Sequence, residues 1–317
     1  MSRVLAGQLA LLGVSVVWGA NFTAMRVLLD RLEPLDIASV RTSIAAVGFA
    51  LVLILTGDRI PQLSRAEWGR VGLLGLLGVA VFNLATVTGQ RLLPASLSSL
   101  IVSSSPIFTA AFAVAAGIER ASARVAGSLG LATAGLALLV LWGRGQGALV
   151  TAEVAVAAAI LALAPLAWAA YTVLAKPMLA RHQAVPLAAV GMFVGAAMLA
   201  PPLLFDADRR DRIAGLDGAG LAAILFSSLV SLVLGFILFG WGLRALSPSQ
   251  ASMTTYLTPV VAVAIAWVAL GEQPTPGLLV GGGLILAAVV VATTDAARLP
   301  VGEDEPSLAT QAQSAHR

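Results

Sequence analysis

Trp18 and Asn21 stand three positions apart inside an apolar run, so a helix would set an indole and an uncharged amide on one face. Such a pair suits a small organic solute: the ring gives apolar cover and the amide orients it by hydrogen bonds. Asn21 could equally bond one helix to another, as amides do between membrane helices. Arg41 poses a sharper question, because an arginine inside an apolar run costs several kcal/mol unless it pairs or reaches the interface. It lies about five residues into its run, about 7 Å deep at 1.5 Å per residue. It reads either as a ligand for a substrate carboxylate or a closure of the outer side, or as a side chain that snorkels to the interface. No acid lies within a run, so an ion pair for Arg41 would draw on Asp30, Glu33 or Asp36 beside it.

Other polar stripes keep helical spacing. Asn83, Thr86 and Gln90 share one face; Ser96, Ser99, Ser103 and Pro106 share another; Ser249, Ser252, Tyr256 and Pro259 repeat that pattern later. Trp168, Tyr171 and Thr172 form a comparable face, and Trp241 closes a further run. The expected cavity lining is therefore Trp18, Asn21, Arg41, Asn83, Gln90 and Ser103 from the first half. Trp168, Tyr171, Trp241 and Tyr256 join it from the second. The serines could also serve close helix packing. Pro106 and Pro259 each free a carbonyl one turn earlier and mark either bending points or static kinks. Glu119 and Glu272 fall at run ends on opposite sides, as gates or as helix-to-helix bonds. Trp68, Trp142 and Trp267 sit near run ends as interface anchors.

Several chemistries are excluded by what is missing. There is no cysteine, so no thiolate metal site, disulfide or cysteine nucleophile. His182 falls in a loop and His316 in the C-terminal tail, which leaves no nucleophile with a base and no metal cluster. No Gly-x-x-x-x-Gly-Lys-Ser/Thr motif occurs, so ATP is not hydrolysed by that route. The expectation is a chain that is no enzyme and carries no cofactor. Without a mid-run Asp or Glu there is no strong proton relay, although a counter-flux of protons or solute stays compatible.

These side chains must be positioned by helices in a membrane. The sequence is 59% hydrophobic and 11% charged, with a mean hydropathy of +0.94. A soluble domain needs about 25% charged residues to cover itself. A bilayer core takes about 20 apolar residues per helix. Ten such runs can be read: 5–28, 37–56, 68–90, 95–117, 125–142, 154–175, 185–205, 221–243, 251–270 and 277–294. They do not alternate as barrel strands do. The first is read as a retained helix rather than a signal peptide, because it continues past any cleavage point. The tail, 299–317, is polar and expected to be disordered. With the N-terminus in the cytoplasm, eleven of the 19 Lys and Arg residues fall on the cytoplasmic side and seven on the other. That bias favours cytoplasmic termini, although Arg209, Arg210 and Arg212 run against it. The net charge of +3 fits arginines meeting lipid headgroups, not nucleic acid.

An internal repeat organises the runs. Arg91, Pro106 and Glu119 return as Arg244, Pro259 and Glu272, each 153 positions later, with Ser96, Ser99 and Gly130 returning as Ser249, Ser252 and Gly283. Five runs per copy is an odd number, so the second copy would enter the membrane from the opposite side. The expected fold is an all-α polytopic membrane protein of ten transmembrane helices in two inverted five-helix repeats, 1–146 and 147–298.

The chain resembles the EamA-domain proteins of the drug/metabolite transporter superfamily. The resemblance rests on Trp18-Gly19-Ala20-Asn21-Phe22, on Arg41, on Pro106 with Glu119, and on Pro259 with Gly271-Glu272, and it covers about Leu5 to Thr294. The second half has Tyr171 and Gly191 or Met192 where Asn21 and Arg41 would recur. The resemblance implies a multi-pass protein of the bacterial inner (plasma) membrane. Its partners would be membrane lipid and a small organic solute. The leading expectation is a secondary transporter, most plausibly an exporter of amino acids or related metabolites working by alternating access. The other reading is a non-transporting membrane partner or lipid-handling subunit.

Overall fold

The computed structural model describes residues 3–120, 123–142, 152–271, 273 and 275–296. Glu272, His316 and the polar tail therefore lie outside the described residues. Within them the chain is helical, with no strand: α1 (Arg3–Leu29), α2 (Pro34–Thr56), α3 (Arg65–Gln90), α4 (Ala95–Ala115), α5 (Ala123–Trp142), α6 (Ala152–Arg181) and α7 (Ala184–Leu199). Then come the short α8 (Pro201–Phe205) and α9 (Ala207–Ala214), followed by α10 (Gly218–Ala245), α11 (Pro248–Leu270) and α12 (Pro276–Ala296). Seven helices among the described residues are long and apolar enough to cross a bilayer: α1, α2, α3, α4, α6, α10 and α11. Their outward faces carry Ile54, Leu55, Leu163, Leu221 and Val268, all exposed. Exposed aliphatic surface on this scale suits lipid.

Local chemistry accounts for the ends. Ser64 and Glu67 form a reciprocal capping box at the start of α3. Gly57 and Gly271 take the left-handed conformation that closes α2 and α11. Two consecutive prolines, Pro201 and Pro202, stop α7 short of the expected 185–205 run. In contrast, α6 runs past the expected limit of 175 to Arg181. Lys176 thus lies inside the helix, where its Nζ donates to the carbonyls of Leu243 at 2.7 Å and Leu246 at 2.6 Å. It caps the orphan carbonyls at the end of α10.

Helix packing has a regular pattern. α1 packs on α10 and α11, α6 on α3 and α4, α2 on α7, and α5 on α12. Close approach depends on small residues, as at Gly195, where a Cβ would collide with Val79 of α3. Ion pairs gather at the two ends of the bundle. At one end Asp36, wholly buried at the start of α2, holds Arg209 and Arg212 of α9. Beside it Arg31 grips Asp217 through two 2.8 Å bonds and Arg91 meets Glu33 at 3.1 Å. At the other end His182 Nε2 lies 3.1 Å from Glu67 Oε1. Arg31 and the Gly220 amide hold the Asp217 carboxyl down to about 2. Unfolded, it titrates near 3.9, so its contribution is present above about pH 4 and fades as pH falls toward 2.

The Lys176 cap makes a direct prediction. Lys176→Met keeps the stem but removes the donors. Hydrogen bonds from a charged group carry about 1.5–3 kcal/mol, so the variant should unfold at a clearly lower temperature in detergent. An unchanged melting curve would show that the α10 terminus needs no cap from α6.

Candidate functional site

The helices that form the centre of the bundle are broken or underwound there. α3 contains a π-helical segment, Gly75–Val81, and α10 another, Phe226–Leu234. Such segments interrupt the regular ladder and recur at functional sites. The Gly235 amide bonds the carbonyls of Leu232 and Val230 and passes over Ser231. Trp18 takes that free carbonyl through its indole N–H, at 3.0 Å. In α3 the Phe82 amide likewise bonds Leu77 and Val79 and passes over Gly78, against which the Tyr171 ring lies. α4 breaks at Ser103 and Ser104, and α11 at Thr255 and Tyr256. Pro106 and Pro259 therefore do not bend continuous helices. Each sits in the first turn of the segment that resumes after a break, where a missing N–H costs nothing.

These irregular segments border a narrow central cavity of about 50 Å³. Its apolar wall is Trp18, Phe22, Phe82, Trp168 and Phe236, with Val102 and Leu232. Trp168 is the hub of the ring cluster: it meets Trp18 edge-on at 4.9 Å, stacks on Tyr171 at 4.8 Å, and contacts Phe82 at 5.1 Å. Hydroxyls come from Thr86, Ser103, Ser105, Ser231, Thr255 and Thr258, an amide from Asn21, and the charge from Arg41.

Arg41 does not snorkel. α2 begins at Pro34, three residues before the expected run, which places Arg41 about 10 Å along the helix. Its exposure is 3%. One terminal nitrogen meets Met25 Sδ and the other the Ser227 carbonyl, each at 3.3 Å, while Nε has no partner. The neighbouring acids are engaged elsewhere, Asp36 with α9 and Glu33 with Arg91. An unpaired charge so placed costs several kcal/mol, and its guanidinium borders the cavity.

The other expected residues divide. Trp18, Asn21, Ser103 and Trp168 line the cavity with Arg41. Asn83 and Gln90 are wholly buried, but their amides donate to the carbonyls of Val79 and Phe22, and neither lines the cavity. Tyr171 and Tyr256 are buried behind the wall. Trp241 is a correction: it is 52% exposed on the outer face of α10 beside Ala6 and Gly7, because the buried face of the last turns is Phe236, Phe239, Gly240 and Leu243 and position 241 falls off it. Glu119 accepts from the amide of Ser249 at 3.0 Å and from its hydroxyl, so it bonds α4 to α11. Reading by run and spacing missed Phe82, Ser231 and Phe236. The Ser227–Ser231 spacing in the eighth run was the available signal for that face.

A helical membrane bundle enclosing an aromatic and hydroxyl-lined cavity belongs to the class of membrane transporters. The EamA-like transporter family model matches residues 5–141 and again 155–294. The chain belongs to that family. A probable terminal-alkyne amino-acid exporter of Streptantibioticus cattleyicolor is 29% identical over 285 residues, 89% of this chain and 91% of that protein. An uncharacterized transporter of Archaeoglobus fulgidus is 27% identical, covering 86% of this chain and 94% of its own. The uncharacterized inner membrane transporter YedA of Escherichia coli K12 is 24% identical, covering 90% and 89%. A solved crystal structure has a TM-score of 0.72 at 19% identity, over 94% of this chain and 99% of that one, which shows the shared fold.

A Cβ at Gly235 would overlap the Trp18 indole nitrogen. Gly235→Ala should therefore expel the ring from the Ser231 carbonyl and cost about 1–3 kcal/mol. A lowered melting temperature with altered tryptophan emission is the expected result. Wild-type emission and stability would show that the π segment does not seat Trp18.

Proposed function

We propose that the chain is a secondary transporter of small organic solutes in a bacterial inner membrane, exporting amino acids or related metabolites by alternating access. The observation that carries this reading is the central cavity, to which both halves contribute matched helices. α1 and α6 supply Trp18 and Trp168, α3 and α10 supply Phe82 and Phe236, and α4 and α11 supply Ser103 and Thr255, while Arg41 comes from α2 alone. The lining is mostly neutral and aromatic, which suits an amphipathic solute better than a polyanion. The named role of the Streptantibioticus cattleyicolor relative, amino-acid export, points the same way.

The inverted-repeat organisation, with 1–146 and 147–298 as the two copies and cytoplasmic termini, is part of the proposal. Several observations support it. The family model matches twice, once in each half. The π segments of α3 and α10 end at Val81 and Leu234, the same 153 positions apart as the sequence repeat. Helix pairings exchange as the halves exchange: α1 with α11 mirrors α6 with α4, and α1 with α10 mirrors α6 with α3. Two such halves can rock about a shared site and open it to one side and then the other.

Reconstituted vesicles test the proposal. Radiolabelled amino acids and their hydroxy- and N-acyl derivatives, loaded inside, should leave faster than from protein-free vesicles, with saturation and mutual competition. Efflux equal to protein-free vesicles across the panel would remove the transporter reading and favour a non-transporting membrane partner.

A further inference from the structure

Resting on that reading, we propose that the cargo is itself the counter-ion of Arg41: a small monoanion with one carboxylate, an apolar body and one neutral hydrogen-bond donor. The argument begins with charge. Arg41 is buried beside the cavity, and both of its contacts, Met25 Sδ and the Ser227 carbonyl, are neutral. Among the described residues no acid lines the cavity. The carboxylates nearest in sequence hold other arginines: Asp36 holds Arg209 and Arg212, and Glu33 holds Arg91. A carboxylate entering the cavity would neutralise the guanidinium, and the free Nε leaves a donor for it. The planar fork of an arginine matches a carboxylate.

A zwitterion fits less well. Its carboxylate would meet Arg41, but its ammonium would bring a second positive charge into a cavity without an acid. The acceptors on offer are neutral. Asn21 Oδ1 and Thr258 Oγ1 are both buried and without partners. A hydroxyl or amide N–H satisfies such an oxygen without adding charge. The indole N–H of Trp168, also without a partner, is a further donor toward an anion. The rings of Trp18, Phe82, Trp168 and Phe236 leave the remainder of the ligand in apolar surroundings.

A monoanion also supplies a driving force. Moving it outward is favoured by an inside-negative potential, and about 59 mV sustains a tenfold gradient of a single charge. Export would then require no proton relay, in keeping with runs that carry no mid-span carboxylate.

The test uses the full-length protein in detergent and a matched phenyl series at pH 7. 3-Phenyllactate is an anion with a hydroxyl, 3-phenylpropionate an anion without one, phenylalanine a zwitterion, and 2-phenylethylamine a cation. Calorimetric titration should rank phenyllactate tightest, with phenylpropionate and phenylalanine each about tenfold weaker, and no binding of 2-phenylethylamine. Arg41→Gln, checked for fold by gel filtration and circular dichroism, should lose the preference for anions. If that variant does not fold, the wild-type ranking decides alone. Phenylalanine binding as tightly as phenyllactate, a folded Arg41→Gln that keeps the anion preference, or no binding by the whole series would each overturn the proposal. Vesicle efflux separates the two claims. Efflux of phenyllactate should rise with an inside-negative potential set by potassium and valinomycin. Efflux of phenylalanine alone, indifferent to potential, would overturn the counter-ion proposal and leave the transporter standing. Tight phenyllactate binding with no efflux of any solute would do the reverse.

Discussion

At the centre of the bundle the backbone carbonyls of Ser227 and Ser231 are bonded by side chains from the other half of the chain. In an apolar medium a carbonyl left out of the helical ladder must find a donor within the protein. Here the donors are the Arg41 guanidinium and the Trp18 indole. That exchange ties α1 and α2 to α10. It also fixes the two side chains that give the cavity its charge and part of its aromatic wall. The glycine that makes it possible is Gly235, whose missing Cβ leaves room for the indole.

The 153-position sequence repeat is broken at this point, and the difference matters. Position 235 is glycine, whereas its counterpart 153 residues earlier is Phe82. Phe82 packs on Trp168 at 5.1 Å, and the Trp168 indole N–H is left without a partner. One half thus spends its tryptophan on structure while the other keeps its tryptophan free at the cavity. Arg41 and Asn21 are likewise confined to the first half. A bundle whose helix pairings mirror one another carries an asymmetric site, as a solute with distinct ends requires. Among the described residues the ionic contacts stay at the two ends of the bundle. Those at one end join α2 to α9 and α1 to the start of α10; those at the other join α3 to the end of α6.

Much of this was legible in the sequence. The apolar runs located the helices to within a few residues, because insertion in lipid requires long uninterrupted apolar stretches. Spacing placed Trp18 and Asn21 on one face, and the apolar surroundings of Arg41 marked it as anomalous. What could not be read was the departure from regular helix. A π segment changes the facing of the residues after it, so a 3.6-residue period cannot be carried through α10; Trp241, assigned by its place at the end of a run, faces out. The same period gave no reason to select Ser231 or Phe236. The depth of Arg41 was misjudged because Pro34, an ordinary first-turn proline, lengthens α2 at its start. The prolines read as bending points or static kinks because the breaks before them, at Ser103–Ser104 and Thr255–Tyr256, leave no mark in hydropathy.

The central claim is that one cavity is reached from either side of the membrane in turn. The natural chain has no cysteine, so a single Ser103→Cys substitution at the cavity wall reports access without background. Its labelling by a membrane-impermeant maleimide should be measured in right-side-out and inverted vesicles, with and without a competing ligand. The account predicts reaction from both sides, slowed from both by a ligand that fills the cavity. Reaction from one side only, under every ligand and potential tried, would contradict it.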